Sequence, residues 1–478
     1  MHSSVRRKRL TLALALCTAV ASPLADAVDW NDPFETGKLP AASPLGSVQY
    51  PPADQPCANL DTQSPLTIID VVDRVLCQNP QSREAWANAR FQAAQVGVAS
   101  APFLPNVSVN GAVARNRSNG AGTNMSYNSA AATANLSYLL YDFGGRDATL
   151  ENARQLFQAA SETQDSVVQS LFLSAISGYY QVNSTQEAIE SIRQAERASQ
   201  ASLDAATARY KAGVGTIADQ LQARTAHSQV VLNLITAEGA LQNARGGLAS
   251  LMGMDPNRPY TLQATAKMPT YEKFQADIGE LIAEARRRRP DLAAAEAQVK
   301  AAQANISAAE AAGKPSVSVT TALGYLDQQF NGTNHNGAIG LSVTIPLFTG
   351  FASTYNIRSA QELTEVKKAA RDQVNLQVGL DVWNAYQNLQ TETQSVETSR
   401  DLVASATQNS DVALGRYKAG VGNILDVLTA QSALSSARVQ HIQAVFSWNI
   451  ARANLAYAMG QLDDVETGVN ILPTENKQ

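Results

Sequence analysis

The chain has 478 residues, a formal net charge of −5, and a composition that is 45% hydrophobic and 17% charged. That length allows two or more ordinary domains. The acidic balance argues against nucleic acid as a partner.

Residues 1–27 read as a secretory signal peptide. Arg6, Arg7, Lys8 and Arg9 form a basic start, "LTLALALCTAVA" (10–21) is an apolar stretch too short to span a bilayer, and "ADA" (25–27) is a small-x-small cleavage site. Cleavage is expected after Ala27 and leaves the remainder more acidic. Lipid attachment at Cys17 is the weaker reading, because Leu16 stands where such signals need a small residue. No later stretch is apolar for the ~20 residues of a membrane helix. Residues 28–65 are proline-rich and read as an extended N-terminal tail. An exported chain meets an oxidising compartment, and its two remaining cysteines, Cys57 and Cys77, fit one disulfide. Zinc would want more ligands than these and the scattered His227, His335 and His441. No metal or cofactor is expected.

Residues 66–254 read as one structural unit. "NVSVNGAVA" (106–114) sets Val107, Val109, Gly111 and Val113 on one side, and "NLSYLLY" (135–141) groups Leu136, Tyr138 and Leu140. Period two predicts strands over about 105–115 and 131–142. The Asn-, Gly- and Ser-rich stretch 116–130 reads as an exposed loop. No proline interrupts 145–209, and Val168, Leu171, Phe172, Ala175, Ile176 and Tyr179 recur at three and four. That predicts one helix of roughly 100 Å. Its remaining positions are mostly small or polar, which suits a coiled-coil-like element rather than a compact core.

The helix ends in "RYKAGVG" (209–215). Gly213 can adopt the left-handed conformation that ends a helix, Thr216 can cap the next one, and Asp219 completes a capping box. Val214, between two glycines at a hairpin tip, cannot be buried in its own turn. Residues 216–253 then form a helix of about 57 Å.

A linker, 255–277, carries Pro256, Pro259 and Pro269. The unit then repeats over 278–460. "RYKAGVG" recurs letter for letter at 416–422, "ARGGLASLMG" (244–253) matches "ARANLAYAMG" (451–460), and "LLYDFGG" (139–145) aligns with "PLFTGFA" (346–352), all at one spacing. Asn79-Pro80 likewise matches Arg289-Pro290. The second copy has a helix over 281–313 of about 50 Å, whose run "RRRR" (286–289) reads as a solvated face. Its strands, about 315–326 and 338–348, group Val317, Val319, Thr321, Leu323 and Tyr325, then Ile339, Leu341, Val343 and Ile345, around a polar loop at 326–337. A long helix follows over about 352–417, with Leu376, Leu380 and Trp383 on one stripe. At its tip lie Gly420, Val421 and Gly422, with Asn423 as cap and Asp426 three residues on. Two shorter helices equal one long one, so 216–253 with 281–313, and 424–460 with 66–102, can each climb back along a long helix. Residues 461–478 are a C-terminal tail. There is no nucleophile elbow, no phosphate loop and no carboxylate pair beyond helix caps, so no catalysis is expected.

Each chain thus offers four amphipathic strands of bilayer-spanning length, about 9–11 residues. Backbone groups in lipid must all be paired, so strands span only as closed barrels. Four strands cannot close. Eight, from two chains, give a barrel filled by its own side chains, and twelve, from three, leave a lumen. Tyr141, Phe143, Phe348 and Phe351 sit where strand meets long helix, as an interface girdle would; the alternative is ordinary packing at the helix start.

The duplicated strand–strand–long helix–turn unit, "LYDFGGR", "PLFTGF" and the paired "RYKAGVG…D" turns resemble the TolC-like outer-membrane factors over about 66–460. The resemblance implies a mainly α chain with a β-barrel part, assembled as a homotrimeric channel-tunnel. A shared 12-stranded barrel would sit in the lipid of the bacterial outer membrane, and an α-helical barrel would cross the periplasm. Its implied partners are a periplasmic adaptor and an inner-membrane transporter. The tips Gly213, Val214, Gly215, Gly420, Val421 and Gly422 would meet the adaptor. Asp219 and Asp426 would lie near the narrow periplasmic mouth, chiefly as helix caps. Some relatives carry a basic residue able to pair with such acids where this chain has Gly422, a departure from that pattern. Cys57 ahead of, and Cys77 within, the "PLTIIDVVDRVLCQNP" helix resembles the branch serving type I protein (toxin) secretion. The alternatives are the outer-membrane part of a multidrug efflux pump and, disfavoured by the half-length helices and paired strands, a surface coiled-coil stalk or adhesin.

Overall fold

The computed structural model describes residues 31–39, 64–120, 123–263 and 276–461. The signal peptide, most of the N-terminal tail with Cys57, part of the linker and most of the C-terminal tail lie outside the described residues. The chain divides into two compact units. Of the described residues, one holds 31–39, 87–120, 123–161 and 296–369, and the other 64–86, 162–263, 276–295 and 370–461.

The first unit carries a four-stranded antiparallel sheet in sequence order. Its strands are β1 (Asn106–Gly120), β2 (Thr123–Tyr141), β3 (Ser316–Gln328) and β4 (Gly332–Thr344). Directly opposed residues share a face, so the register sorts the side chains. Val107, Leu136, Thr321 and Ile339 form one row, and Asn110, Thr133, Gly324 and Asn336 a row on the other face. The expected loops 116–130 and 326–337 are largely strand. Their Asn, Ser and Thr residues resemble a loop in composition, yet each opposes a partner in the ribbon, and Asn116 Nδ2 donates to Ser129 Oγ at 2.9 Å. The second ribbon turns only at 329–331. β4 stops at Thr344, short of the expected 348, because Pro346 offers no N–H to a ladder.

Arg146 ties β2 to the helix that follows. Its guanidinium donates to the carbonyls of Leu139 (2.8 Å), Leu140 (3.2 Å) and Pro102 (3.3 Å). It also pairs with Asp142 at 3.4 Å and lies over the Phe103 ring.

The helices are α1 (Ile68–Gln78), α2 (Pro80–Ser100), α3 (Gly145–Lys211), α4 (Ile217–Leu251), α5 (Ile278–Arg288), α6 (Pro290–Ala312), α7 (Ala352–Lys418) and α8 (Ile424–Ala458). α3 and α7 have 67 residues each, α4 and α8 35 each. The expected single helices over 66–102 and 281–313 are instead broken at Asn79-Pro80 and Arg289-Pro290. Both pre-proline residues are extended, with ψ of 131° and 122°, because proline excludes the helical region from its predecessor. No described helix is long and apolar enough to cross a membrane.

In the second unit the two repeats build two apolar clusters. Val71, Val75 and Leu76 of α1 meet Val168, Phe172 and Ile176 of α3 and Leu248 of α4. Leu281 of α5 meets Val378 and Val382 of α7 and Trp448 and Leu455 of α8. Tyr260 anchors the start of the linker by donating to Arg245 O at 2.8 Å; burial pushes its phenol up to about 12.

The two breaks are built with different chemistry. Asn79 donates to Leu251 O at 3.0 Å. Arg289 was expected on a solvated face, but its side chain is 8% exposed and pairs with Asp291 (2.6 Å) and Asp381 (2.7 Å). Burial pulls its pKa down, and the two carboxylates more than restore it. Arg287 and Arg288 do stay exposed, paired with Glu284. Removing Asp381 leaves the buried guanidinium with Asp291 alone and takes away one charge-assisted hydrogen bond, a cost of about 2 kcal/mol. Asp381→Ala is therefore expected to lower the unfolding midpoint clearly, with little sensitivity to added salt, while an exposed control such as Glu365→Ala stays near wild type. Equal midpoints in thermal unfolding would contradict this.

Candidate functional site

The two copies of RYKAGVG fold alike. Gly213 N–H donates to Tyr210 O (3.0 Å) and Val214 N–H to Arg209 O (3.1 Å); Gly420 donates to Tyr417 O (3.1 Å) and Val421 to Arg416 O (3.1 Å). This bond pair closes a helix through a left-handed residue, and Gly213 and Gly420 take φ of 76° and 79°. The following glycines serve a different need. A Cβ on Gly215 would lie 3.2 Å from Tyr210 N, and on Gly422 2.9 Å from Tyr417 N. A side chain at Gly422 would force the backbone to shift, and one at Gly215 would be tight.

The valines between them face outward, 67% exposed at Val214 and 71% at Val421. Thr216 and Asp219 form a reciprocal capping box. The second tip is simpler: Asn423 accepts from Leu425 N–H, and Asp426 lies in the first turn without the reciprocal bond.

A contact not anticipated from sequence joins the tips. Arg209 donates to Tyr417 O at 3.3 Å, and its guanidinium lies 4.9 Å above the Tyr417 ring. Tyr417 is 7% exposed, whereas its counterpart Tyr210 is 42% exposed. Arg416, the counterpart of Arg209, is exposed. Ala206, Ala223, Ala413, Ile424 and Val427 fill the space beneath, where small residues allow close approach. The signal was present in the sequence, since arginine and tyrosine precede the glycine turn in both copies.

The sheet separates its chemistry by face. One face runs through Val107, Val109, Val113, Leu323, Ile339, Leu341 and Val343, all exposed. The opposite face carries Asn, Ser, Thr, Ala and Gly, with Tyr127, Leu326 and Gln328 near one end and Leu139 at the other, and no charged residue among those described. At the helix end of the apolar face stand Tyr141, Phe143, Phe348 and Phe351, all exposed. Tyr141 pairs with Phe143 (4.8 Å between centroids) and Phe348 with Phe351 (5.5 Å). Phe143 and Phe351 hold φ of 53° and 66°, a conformation costly for a side chain of that size.

Cys77 is disulfide-bonded, and Cys57 lies outside the described residues. Among the described residues no group of three His, Cys, Asp or Glu side chains could hold a metal. His227 instead bonds Ser199 (3.1 Å) and His441 bonds Ser399 (3.0 Å), as interhelical ties.

The family model for "Outer membrane efflux protein" matches residues 71–254 and again 281–461. The chain is 31% identical to Protein CyaE of Bordetella pertussis across 96% of both chains. It is 22% identical to Outer membrane protein TolC of Escherichia coli across 83% of both. Among solved structures, the Campylobacter jejuni CmeC outer membrane channel superposes with a TM-score of 0.75 at 18% identity, covering 88% of this chain and 95% of the other. The chain belongs to the outer membrane efflux protein family, as a TolC-like channel of the bacterial outer membrane that extends into the periplasm and is not an enzyme.

Proposed function

We propose that three copies close a shared 12-stranded barrel and that the resulting channel-tunnel passes a protein cargo of type I secretion, handed over by an inner-membrane transporter and a periplasmic adaptor. The observation that carries the assembly is the sheet itself. It has one apolar face, one polar face without charge, and two edges, β1 and β4, with no partner among the described residues. Lipid tolerates no unpaired strand edge, so further copies must pair them. In such a barrel Tyr141, Phe143, Phe348 and Phe351 form the periplasmic girdle.

The tips supply a second constraint. Within a chain, Arg209 of the first copy rests on Tyr417 of the second. In a ring of alternating copies, Arg416 would rest on Tyr210 of the next chain and complete a contact left half-made here. Arg416→Cys combined with Tyr210→Cys is expected to give linked dimers and trimers with a short thiol-to-thiol crosslinker, while either single variant gives none. Monomer alone from the double variant would refute this ring order.

Gly213, Val214, Gly215 and Gly420, Val421, Gly422 are assigned as the adaptor-docking tips, with Asp219 and Asp426 as caps beside the mouth. Burying one valine is worth about 1.5 kcal/mol or more, so six tips supply avidity. Val214→Asp with Val421→Asp is expected to abolish crosslinking to the adaptor and export, while the heat-stable trimer still forms because the caps and glycines are untouched. Normal export in this variant would reduce the tips to plain helix reversals.

The secretion assignment draws on Cys57 and Cys77, placed ahead of and within α1 as in that branch; a multidrug efflux channel is the alternative. Deleting the gene should remove an exported protein from the medium and leave drug sensitivity unchanged. The cysteines are assigned to each other, in a disulfide worth roughly 3 kcal/mol for a loop of about 20 residues. Mass spectrometry of the unreduced protein should find Cys57 and Cys77 peptides linked; free thiols at both would exclude the bond.

A further inference from the structure

The apolar face of the sheet ends differently at its two ends. Towards the helices it closes with aromatic rings. At the far end of β1, the last apolar position is Val113, 87% exposed. The next two positions on the same face are Arg115 and Arg117, opposite Asn128 and Ser126. Both arginines are exposed, and among the described residues neither has an ion-pair partner. The face holds one described carboxylate, Asp327, which lies two strands away and opposite Ala130, one pair nearer the apolar band. Tyr325 and His335 stack nearby on β3 and β4, with ring centroids 5.3 Å apart.

Charge is therefore placed where it is least expected. The opposite face, which would meet water in a closed barrel, carries none among the described residues. The two guanidinium groups instead border the lipid side, beyond the apolar band, at the end away from the periplasm. Arginine there is tolerated only near the interface, and its long stem can lie along apolar surface while the head reaches outward. Alternate residues of a strand are about 7 Å apart, so the pair presents two planar forks to neighbouring anionic groups. Such forks match phosphate bidentately.

We propose that Arg115 and Arg117 form a site for the phosphate groups of a phosphorylated glycolipid headgroup in the outer leaflet. The site rests on the barrel reading: if the apolar face does not meet lipid, the arginines are ordinary solvated charges.

The test uses the full-length trimer in detergent. Bisphosphorylated lipid A and its dephosphorylated counterpart are the probes, binding is read by native mass spectrometry, and inorganic phosphate serves as competitor. Wild type is expected to prefer the bisphosphorylated form at least tenfold. Arg115→Gln with Arg117→Gln should bring that preference within twofold, and Arg115→Lys with Arg117→Lys should keep part of it. Heat-stable trimer and bilayer conductance serve as folding controls. An undiminished preference in the glutamine variant would overturn the site. Complete displacement by millimolar phosphate would overturn the lipid assignment in favour of a free anion. If the wild type neither conducts nor retains lipid, the barrel reading falls with the site; conduction without lipid preference removes the site alone.

Discussion

A peptide group in hydrocarbon has no water to bond, so each N–H and C=O within a bilayer must find another peptide group. That requirement governs this chain more than any single contact. It explains why four strands per chain are not a finished structure, why the sheet keeps one largely apolar face, and why the ribbons stay paired beyond the membrane-length core. The helical region answers the same requirement internally, because each α-helix bonds its own backbone. The two architectures therefore meet at a junction where neither scheme applies. There Arg146 bonds three carbonyls, two at the end of β2 and that of Pro102 in the turn before β1.

The long-range design was legible from periodicity. Period two marked the strand cores and the absence of proline marked the long helices, whose observed ends, Lys211 and Lys418, lie within two residues of expectation. The tip glycines were legible because a helix reversal needs a left-handed residue. What escaped notice depended on distance in the chain. No local pattern connects Arg289 with Asp381, so a buried ion triad looked like one letter of a basic run. The outer parts of the strands were missed because Asn, Ser and Gly signal turns on average, whereas here a ladder holds them extended. The prolines at 80 and 290 were visible as matching landmarks, but their effect on the preceding residue, a true helix break, was not drawn from them.

Duplication has left the two copies alike where geometry is demanding and free to drift elsewhere. The tip turns share their reversal hydrogen bonds, while their caps differ. The pre-proline breaks keep the same backbone but use a neutral amide in one copy and a buried guanidinium in the other. The strand–helix junctions keep an aromatic residue at positive φ, Phe143 before Gly144 and Phe351 after Gly350, with the order of the two residue types reversed. Backbone shape is thus the shared constraint, and side-chain chemistry is the means that each copy found separately.

In the proposed barrel the polar face, uncharged among the described residues, would line the lumen and bear on how fast anything could travel along it. Fixed charges on a duct wall create wells and barriers, and a long, heterogeneously charged polymer would stall at each of them. Short amides, hydroxyls and methyls offer only weak, interchangeable contacts that water replaces at little cost. Such a wall acts as a lubricated surface. Drag on a passing molecule would then scale with its length and cross-section and depend little on its sequence. One conduit could thereby serve cargoes with no common motif, with selection made before they enter it.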